Sequence, residues 1–287
     1  TPLLRRAFEL GVTFFDTAIG YCGSDSQAAL GEAVEPFRDK IVLSTKNHLH
    51  SADAATWRAQ LEHSLKMLRT DCIDVYHHHG IQWNTFEKHL DPEKGGLTRE
   101  MFKARDEGLI RHIGFSFHDT PQALRRLIDT GYYENVILQY NLLDQANADA
   151  ISYAHEKGMG VVVMGPVGGG RLGLPNDTIL SLTDGAARST PEAALRFVWG
   201  HPGVNVALSG MENLAMLEQN VAIAKDAKPF TGEQIEKLNA MVNERKKKSG
   251  LYCSGCRYCT PDCAVGIDIP RQLDLLNNAL IYGLKDN

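Results

Sequence analysis

Seven short runs of β-branched or aromatic residues recur along this chain, and a helical pattern separates each from the next. The runs are Val12–Phe15, Ile41–Ser44, Ile73–Tyr76, His112–Phe115, Asn135–Leu138, Gly160–Met164 and Asn205–Leu208. Three of the helical stretches open on Thr-Pro and close on Gly: Thr1-Pro2 to Gly11, Thr120-Pro121 to Gly131, and Thr190-Pro191 to Gly200. Thr caps free N–H groups, Pro pre-sets the first helical φ, and Gly accepts a left-handed C-terminal turn. Strands that alternate with helices make a parallel sheet, because each helix carries the chain back to the start of the next strand.

Such a sheet is either open and doubly wound or closed into a barrel. No Gly-x-Gly-x-x-Gly marks the first strand–helix turn, where an open dinucleotide-binding sheet would carry it. Polar residues stand just past nearly every run: Asp16, Lys46, His79, Ser116, Gln139 and Ser209. A barrel gathers all its strand ends at one mouth, so these residues can converge there. The expected fold is therefore α/β, a (β/α)8 TIM barrel. Seven runs are found where eight are needed, and the chain opens in a helix, so the first strand is expected to be missing from the N-terminus.

From about Thr231 the alternation stops. Glu233–Lys248 reads as a polar helix and Pro270–Tyr282 as a last amphipathic one. The expected division is a barrel over 1–230 and a helical extension over 231–287. The extension is too small to hold much core without a staple.

The cysteines supply a candidate staple. Of six, four lie together with the spacing C-x2-C-x2-C-x3-C: Cys253, Cys256, Cys259 and Cys263. This is the bacterial ferredoxin run, with Ala264 in place of the usual Pro, and it points to a [4Fe-4S] cluster. Zinc is the alternative, but paired zinc-binding Cys-x-x-Cys units normally stand farther apart. Clustered thiols argue against a disulfide scaffold and for a reducing, cytoplasmic setting. A net charge of −5 with no basic domain argues against nucleic acid as a partner. The most apolar stretch, Met159–Val167, is too short to span a membrane. Thr1–Gly11 reads as an amphipathic helix rather than a signal peptide.

Asp16, Tyr21, Lys46 and His79 make a chemical set. Reducing a carbonyl needs a proton at oxygen as hydride reaches carbon. Tyr is a weak acid, with a reference pKa near 10. A neighbouring ammonium stabilises the phenolate, a carboxylate holds the ammonium, and an imidazole orients the carbonyl oxygen.

The segments that carry this set, Phe14-Phe15-Asp16-Thr17-Ala18 with Tyr21, Ser44-Thr45-Lys46, and Ile73-Asp74-Val75-Tyr76 leading to His79, resemble the aldo/keto reductases. The resemblance continues through Gly114-Phe115-Ser116, Gln139-Tyr140-Asn141 and Gly210–Asn220, so it covers about the first 230 residues. It implies a catalytic tetrad of Asp16, Tyr21, Lys46 and His79 and a nicotinamide dinucleotide laid across the mouth. Ser116 and Gln139 would bond the carboxamide and Tyr140 would stack near the ring. Gly165, Gly168 and Gly169 would form the pyrophosphate loop. Gly210, Glu212 and Asn220 would meet the adenosine end. Family members that prefer NADPH usually place a cation in that last segment. Here Glu212 stands near the expected position, which favours NADH over NADPH. The cysteine tail resembles that of a subset of the family.

The implied activity is NAD(P)H-dependent reduction of an aldehyde or ketone, or oxidation of the alcohol, on a small-molecule substrate. Two alternatives remain open on the sequence. One is a cluster-bearing electron-transfer or regulatory protein without turnover. The other is a metal-dependent hydrolase using histidines at the mouth, where His48, His50 and His118 join His77, His78 and His79.

Overall fold

The computed structural model describes residues 2–226, 228–248, 260 and 263–280. All seven expected runs are strands: β1 Phe14–Asp16, β2 Val42–Asn47, β3 Ile73–Ile81, β4 Ile110–Phe117, β5 Asn135–Gln139, β6 Gly160–Met164 and β7 Val206–Ala207. They form one sheet in sequence order, β1-β2-β3-β4-β5-β6-β7, and every neighbouring pair is parallel. A doubly wound sheet reverses its order at a switch point, and this one does not. The architecture is a (β/α)8 barrel-like fold with seven parallel strands. Among the described residues β1 pairs only with β2, and β7 only with β6.

The strands run further than the apolar runs that announce them. Asp16, Lys46, His79, Ser116 and Gln139 lie inside strands rather than past them. Ladder pairing uses backbone groups, so polar side chains do not end it: Asp16 pairs with Ser44, Lys46 with His77, and Gln139 with Met164.

The helix Pro121–Asp129 begins as expected. Thr120 is extended and its hydroxyl accepts from the Ala123 N–H at 3.3 Å. Its apolar residues Leu124, Leu127 and Ile128 recur at helical spacing and are buried. The helix Thr190–Trp199 departs from expectation. Ser189, extended in backbone, is the cap and accepts from the Glu192 N–H at 3.3 Å. Thr190 is instead buried, and its hydroxyl accepts from the Asn176 N–H at 2.8 Å.

The chain divides into two compact units. The first comprises 1–140, 146–164 and 201–226 and holds all seven strands. The second comprises 141–145, 165–200 and 227–287. It includes the helices Gly232–Lys248 and Ile269–Leu280, close to the two helices expected there. Within it, Gln234 donates to the Thr183 carbonyl at 2.7 Å and Gln145 to Asn239 Oδ1 at 2.9 Å. Among the described residues no helix is long and apolar enough to cross a membrane.

Candidate active site

Strand alternation puts Ser44 and Lys46 on one face of β2, and the parallel neighbour β1 ends there in Asp16. The Ser44 hydroxyl donates to Asp16 Oδ1 at 2.7 Å. The Lys46 ammonium pairs with Asp16 Oδ2 and donates to the Thr17 carbonyl at 2.8 Å. Lys46 is only 2% exposed. Burial pushes its pKa down and the Asp16 charge opposes this, with burial the larger effect.

Tyr21 follows β1 on a tight turn, Tyr21–Ser24. Cys22, Gly23 and Ser24 are consecutively left-handed, at φ 53°, 66° and 79°. This turn faces the Tyr21 ring toward two partners. The Lys46 ammonium lies 5.2 Å from the ring centre. The His79 ring stands edge-on at 5.8 Å and 80°.

Burial, then the Asp16 charge, push the Tyr21 phenol above its usual pKa. The net shift is upward, so the phenol holds its proton at neutral pH. Burial, then the Lys46 charge, bring His79 down to about 4. Its imidazole is neutral at neutral pH and is available as a hydrogen-bonding group rather than a cation.

The triple histidine of β3 sends its members different ways. His77 and His78 are fully buried, and His79 is half-buried. His78 Nε2 bonds Thr98 Oγ1 at 3.2 Å and packs near Trp57 and Tyr133, away from His79. Only His79 of the three approaches Tyr21. Among the described residues no three His, Cys, Asp or Glu side chains are placed to hold a metal ion.

The residues expected to hold a dinucleotide are placed as follows. Ser116 on β4 is buried and accepts from the Gly80 N–H at 2.6 Å. Gln139 closes β5 and is exposed. Tyr140 is 4% exposed, with its ring edge-on to His201 at 5.4 Å, and burial raises its pKa to about 12. Gly210 and Glu212 are exposed ahead of the helix Leu214–Asp226, which Asn213 caps from the Met216 N–H at 3.0 Å. Asn220 on that helix donates to Ser209 Oγ at 3.0 Å. In the second unit, Gly165, Gly168, Gly169 and Gly170 have φ of 61°, 62°, 66° and 93°. Side chains rarely adopt that conformation, and it presents successive N–H groups to an anion. The Asn141 side chain anchors the loop by donating to the Gly165 carbonyl at 3.0 Å.

Of the four clustered cysteines, Cys253, Cys256 and Cys259 lie outside the described residues. Cys263 Sγ accepts from the Ile267 N–H at 3.2 Å. The N–H groups of Val265, Ile267 and Gly266 hold its thiol below the usual pKa. A sulfur so placed favours the thiolate that a metal centre requires.

Two groups escaped the sequence reading: the Ser44 hydroxyl and the Thr17 carbonyl, both bound to the Asp16–Lys46 pair. The two-residue spacing of Ser44 and Lys46 was the available signal for the first.

Comparison with known proteins gives the family and agrees with the fold. Residues 1–243 match the aldo/keto reductase family. The chain is 25% identical over 276 residues to the uncharacterized oxidoreductase YqkF of Bacillus subtilis, covering 84% of this chain and 87% of that one. It is 24% identical over 280 residues to L-galactose dehydrogenase of Arabidopsis thaliana, covering 87% and 86%. Among solved structures, an aldo-keto reductase of Bacillus halodurans in its holo form superposes with a TM-score of 0.70 at 25% identity, covering 83% of this chain and 85% of that one. An aldo/keto reductase of Klebsiella pneumoniae in complex with NADP and acetate gives 0.70 at 26%, covering 84% of each. The chain belongs to the aldo/keto reductase family and is an oxidoreductase of that class.

Proposed function

We propose that this protein reduces an aldehyde or ketone, or oxidises the corresponding alcohol, with Tyr21 as proton donor. The carrying observation is the placement of Tyr21 against Lys46 on one side and a neutral His79 on the other. Tyr21 holds a proton at neutral pH and releases it to the substrate oxygen as negative charge builds there. The Lys46 ammonium then faces a new phenolate and stabilises it. Asp16 keeps Lys46 in position and charged. His79 donates a hydrogen bond that orients the carbonyl oxygen. A nicotinamide dinucleotide, when bound, supplies or accepts the hydride. Ser116 and Gln139 would hold its carboxamide, Tyr140 its ring, the glycines 165, 168 and 169 its pyrophosphate, and Gly210, Glu212 and Asn220 its adenosine. The exposed Glu212 carboxylate repels a 2′-phosphate, so NADH is the proposed coenzyme.

The barrel is proposed to span 1–230 and a helical extension 231–287, with Cys253, Cys256, Cys259 and Cys263 holding a [4Fe-4S] cluster. The spacing of the four and the backbone-stabilised sulfur of Cys263 support this. The cluster is proposed to staple the extension, since hydride transfer needs no one-electron relay. A cytoplasmic setting is proposed from the clustering of the four cysteines in the sequence.

The test uses anaerobically purified protein with NADH and a panel of aldehydes and ketones, alongside a visible spectrum with iron and sulfide analysis. Turnover that disappears in Tyr21→Phe supports the reductase reading, and its absence across the panel overturns it. A colourless, zinc-loaded protein overturns the cluster.

A further inference from the structure

A row of five residues crosses the sheet at one level: Lys46 on β2 pairs with His77 on β3, His77 with Gly114 on β4, Gly114 with Asn135 on β5, and Asn135 with Gly160 on β6. His77 and Asn135 are two strands apart, about 10 Å at ordinary strand spacing. They nevertheless touch, His77 Nε2 meeting the Asn135 side chain at its Oδ1 position, 2.7 Å away. Gly114 makes the contact possible. A Cβ there would stand 2.8 Å from His77 Cδ2 and 2.6 Å from the Asn135 carbonyl oxygen. Gly160 plays the same part for Asn135, the other end of whose amide would lie 3.1 Å from its Cβ.

The other edge of the ring points at the active site. His77 Nδ1 lies 3.3 Å from the Thr45 carbonyl and 3.4 Å from Ser44 Oγ. The carbonyl can only accept, so Nδ1 carries the proton and shares it between the two oxygens. A neutral ring then accepts at Nε2, and Asn135 meets it with its amide N–H once that side chain is turned over. Burial, then the Lys46 charge, keep the ring neutral by lowering its pKa to about 4. Accepting from His77, the Ser44 hydroxyl keeps its own proton for Asp16 Oδ1, to which it donates at 2.7 Å.

We propose that His77 is a positioning residue for the reaction: braced by Asn135 across Gly114, it aims the Ser44 hydroxyl at Asp16 and so fixes the Asp16–Lys46 pair behind Tyr21. The proposal rests on the reductase reading above and extends it by one layer into the barrel. The titratable and charged groups facing this relay are Asp16, Lys46, Tyr21 and His79, with His78 beside the His77 ring. With the Ser44 bond lost, the Asp16 charge acts on Tyr21 with less compensation and the phenol becomes harder to ionise.

The experiment compares wild type with His77→Leu, Asn135→Leu, Ser44→Ala and His77→Gln. Two readouts are taken: the pH profile of kcat, and the Tyr21 phenol pKa from an ultraviolet difference titration against Tyr21→Phe. The first three variants are expected to lower kcat about tenfold, near the worth of one hydrogen bond to a charged group, with KM unchanged. Their Tyr21 pKa and alkaline kcat limb move upward together. His77→Gln, whose amide can also bridge, restores both toward wild type. Variants that lose stability while kcat and the phenol pKa stay at wild-type values overturn the proposal. The phenol titration needs no turnover, so failure of the reductase reading is separable from failure of this relay. Should His77→Leu and Asn135→Leu not fold, Ser44→Ala decides by the same two readouts.

Discussion

The ammonium of Lys46 lies 5.2 Å from the centre of the Tyr21 ring while its charge is engaged by Asp16. The cation is thus buried, fixed and already compensated before any substrate arrives. Its charge favours the ionised phenol when Tyr21 gives up its proton.

Replacing Tyr21 by Phe removes the acid and leaves the ring. Carbonyl reduction is expected to fall about 10²–10⁴-fold in kcat, the usual worth of a general acid. Coenzyme binding, followed by quenching of protein fluorescence, is expected to persist. Retention of wild-type kcat would dismiss Tyr21 as the donor.

Breaking the buried pair on one side costs more than deleting it. Asp16→Asn leaves the 2%-exposed Lys46 ammonium without its counter-charge. The expected loss is about 3–5 kcal/mol, seen as a lower midpoint in denaturant. The double variant Asp16→Leu, Lys46→Met removes both charges and is expected to recover most of that stability while remaining inactive.

Acid is expected to weaken the fold before carboxylates titrate. Burial lowers His50, His77 and His79 to about 4 from an ordinary 6.5. Below 6.5 the unfolded chain takes up protons that the folded chain refuses, so stability falls as pH drops from 6.5 to about 4. The fully buried His77 contributes about 1.4 kcal/mol per pH unit in that window. Chemical denaturation at pH 7 and pH 5 checks this, and an unchanged midpoint would count against buried neutral imidazoles.

Glu212→Arg is expected to reverse the coenzyme preference. A guanidinium can pair with a 2′-phosphate where the carboxylate repels it. NADPH affinity should rise at least about tenfold relative to NADH, a change of about 1.4 kcal/mol. Equal affinities in wild type and variant would remove Glu212 from the adenosine end.

Much of this fold is readable because its strands are short apolar runs with helices between them, and the helices carry their own end signals at Thr120 and Gly131. The strand ends were misjudged at Asp16, Lys46 and Gln139 because polarity looks like a loop, whereas ladder bonds are indifferent to side chains. Adjacent hydroxyls at Ser189 and Thr190 could not be told apart as caps, since the choice depends on which one a neighbouring segment buries. Tyr21, Lys46 and Asp16 were found by chemistry and come together. The direction of the Tyr21 shift was not, because it follows from burial. The bond from His77 to Asn135 was out of reach for a different reason. It depends on the register of three strands and on one absent side chain at Gly114, none of which local sequence encodes.

Finally, consider the turn that carries Tyr21. Cys22 and Ser24 hold left-handed backbone despite their side chains, at roughly 1–2 kcal/mol each. The ladder that presents Lys46 and His79 bears no such load. The expected consequence is that activity is lost on warming before the sheet unfolds, because the strained turn opens first. Thermal inactivation and the loss of helical and strand signal, followed side by side, would coincide if it does not.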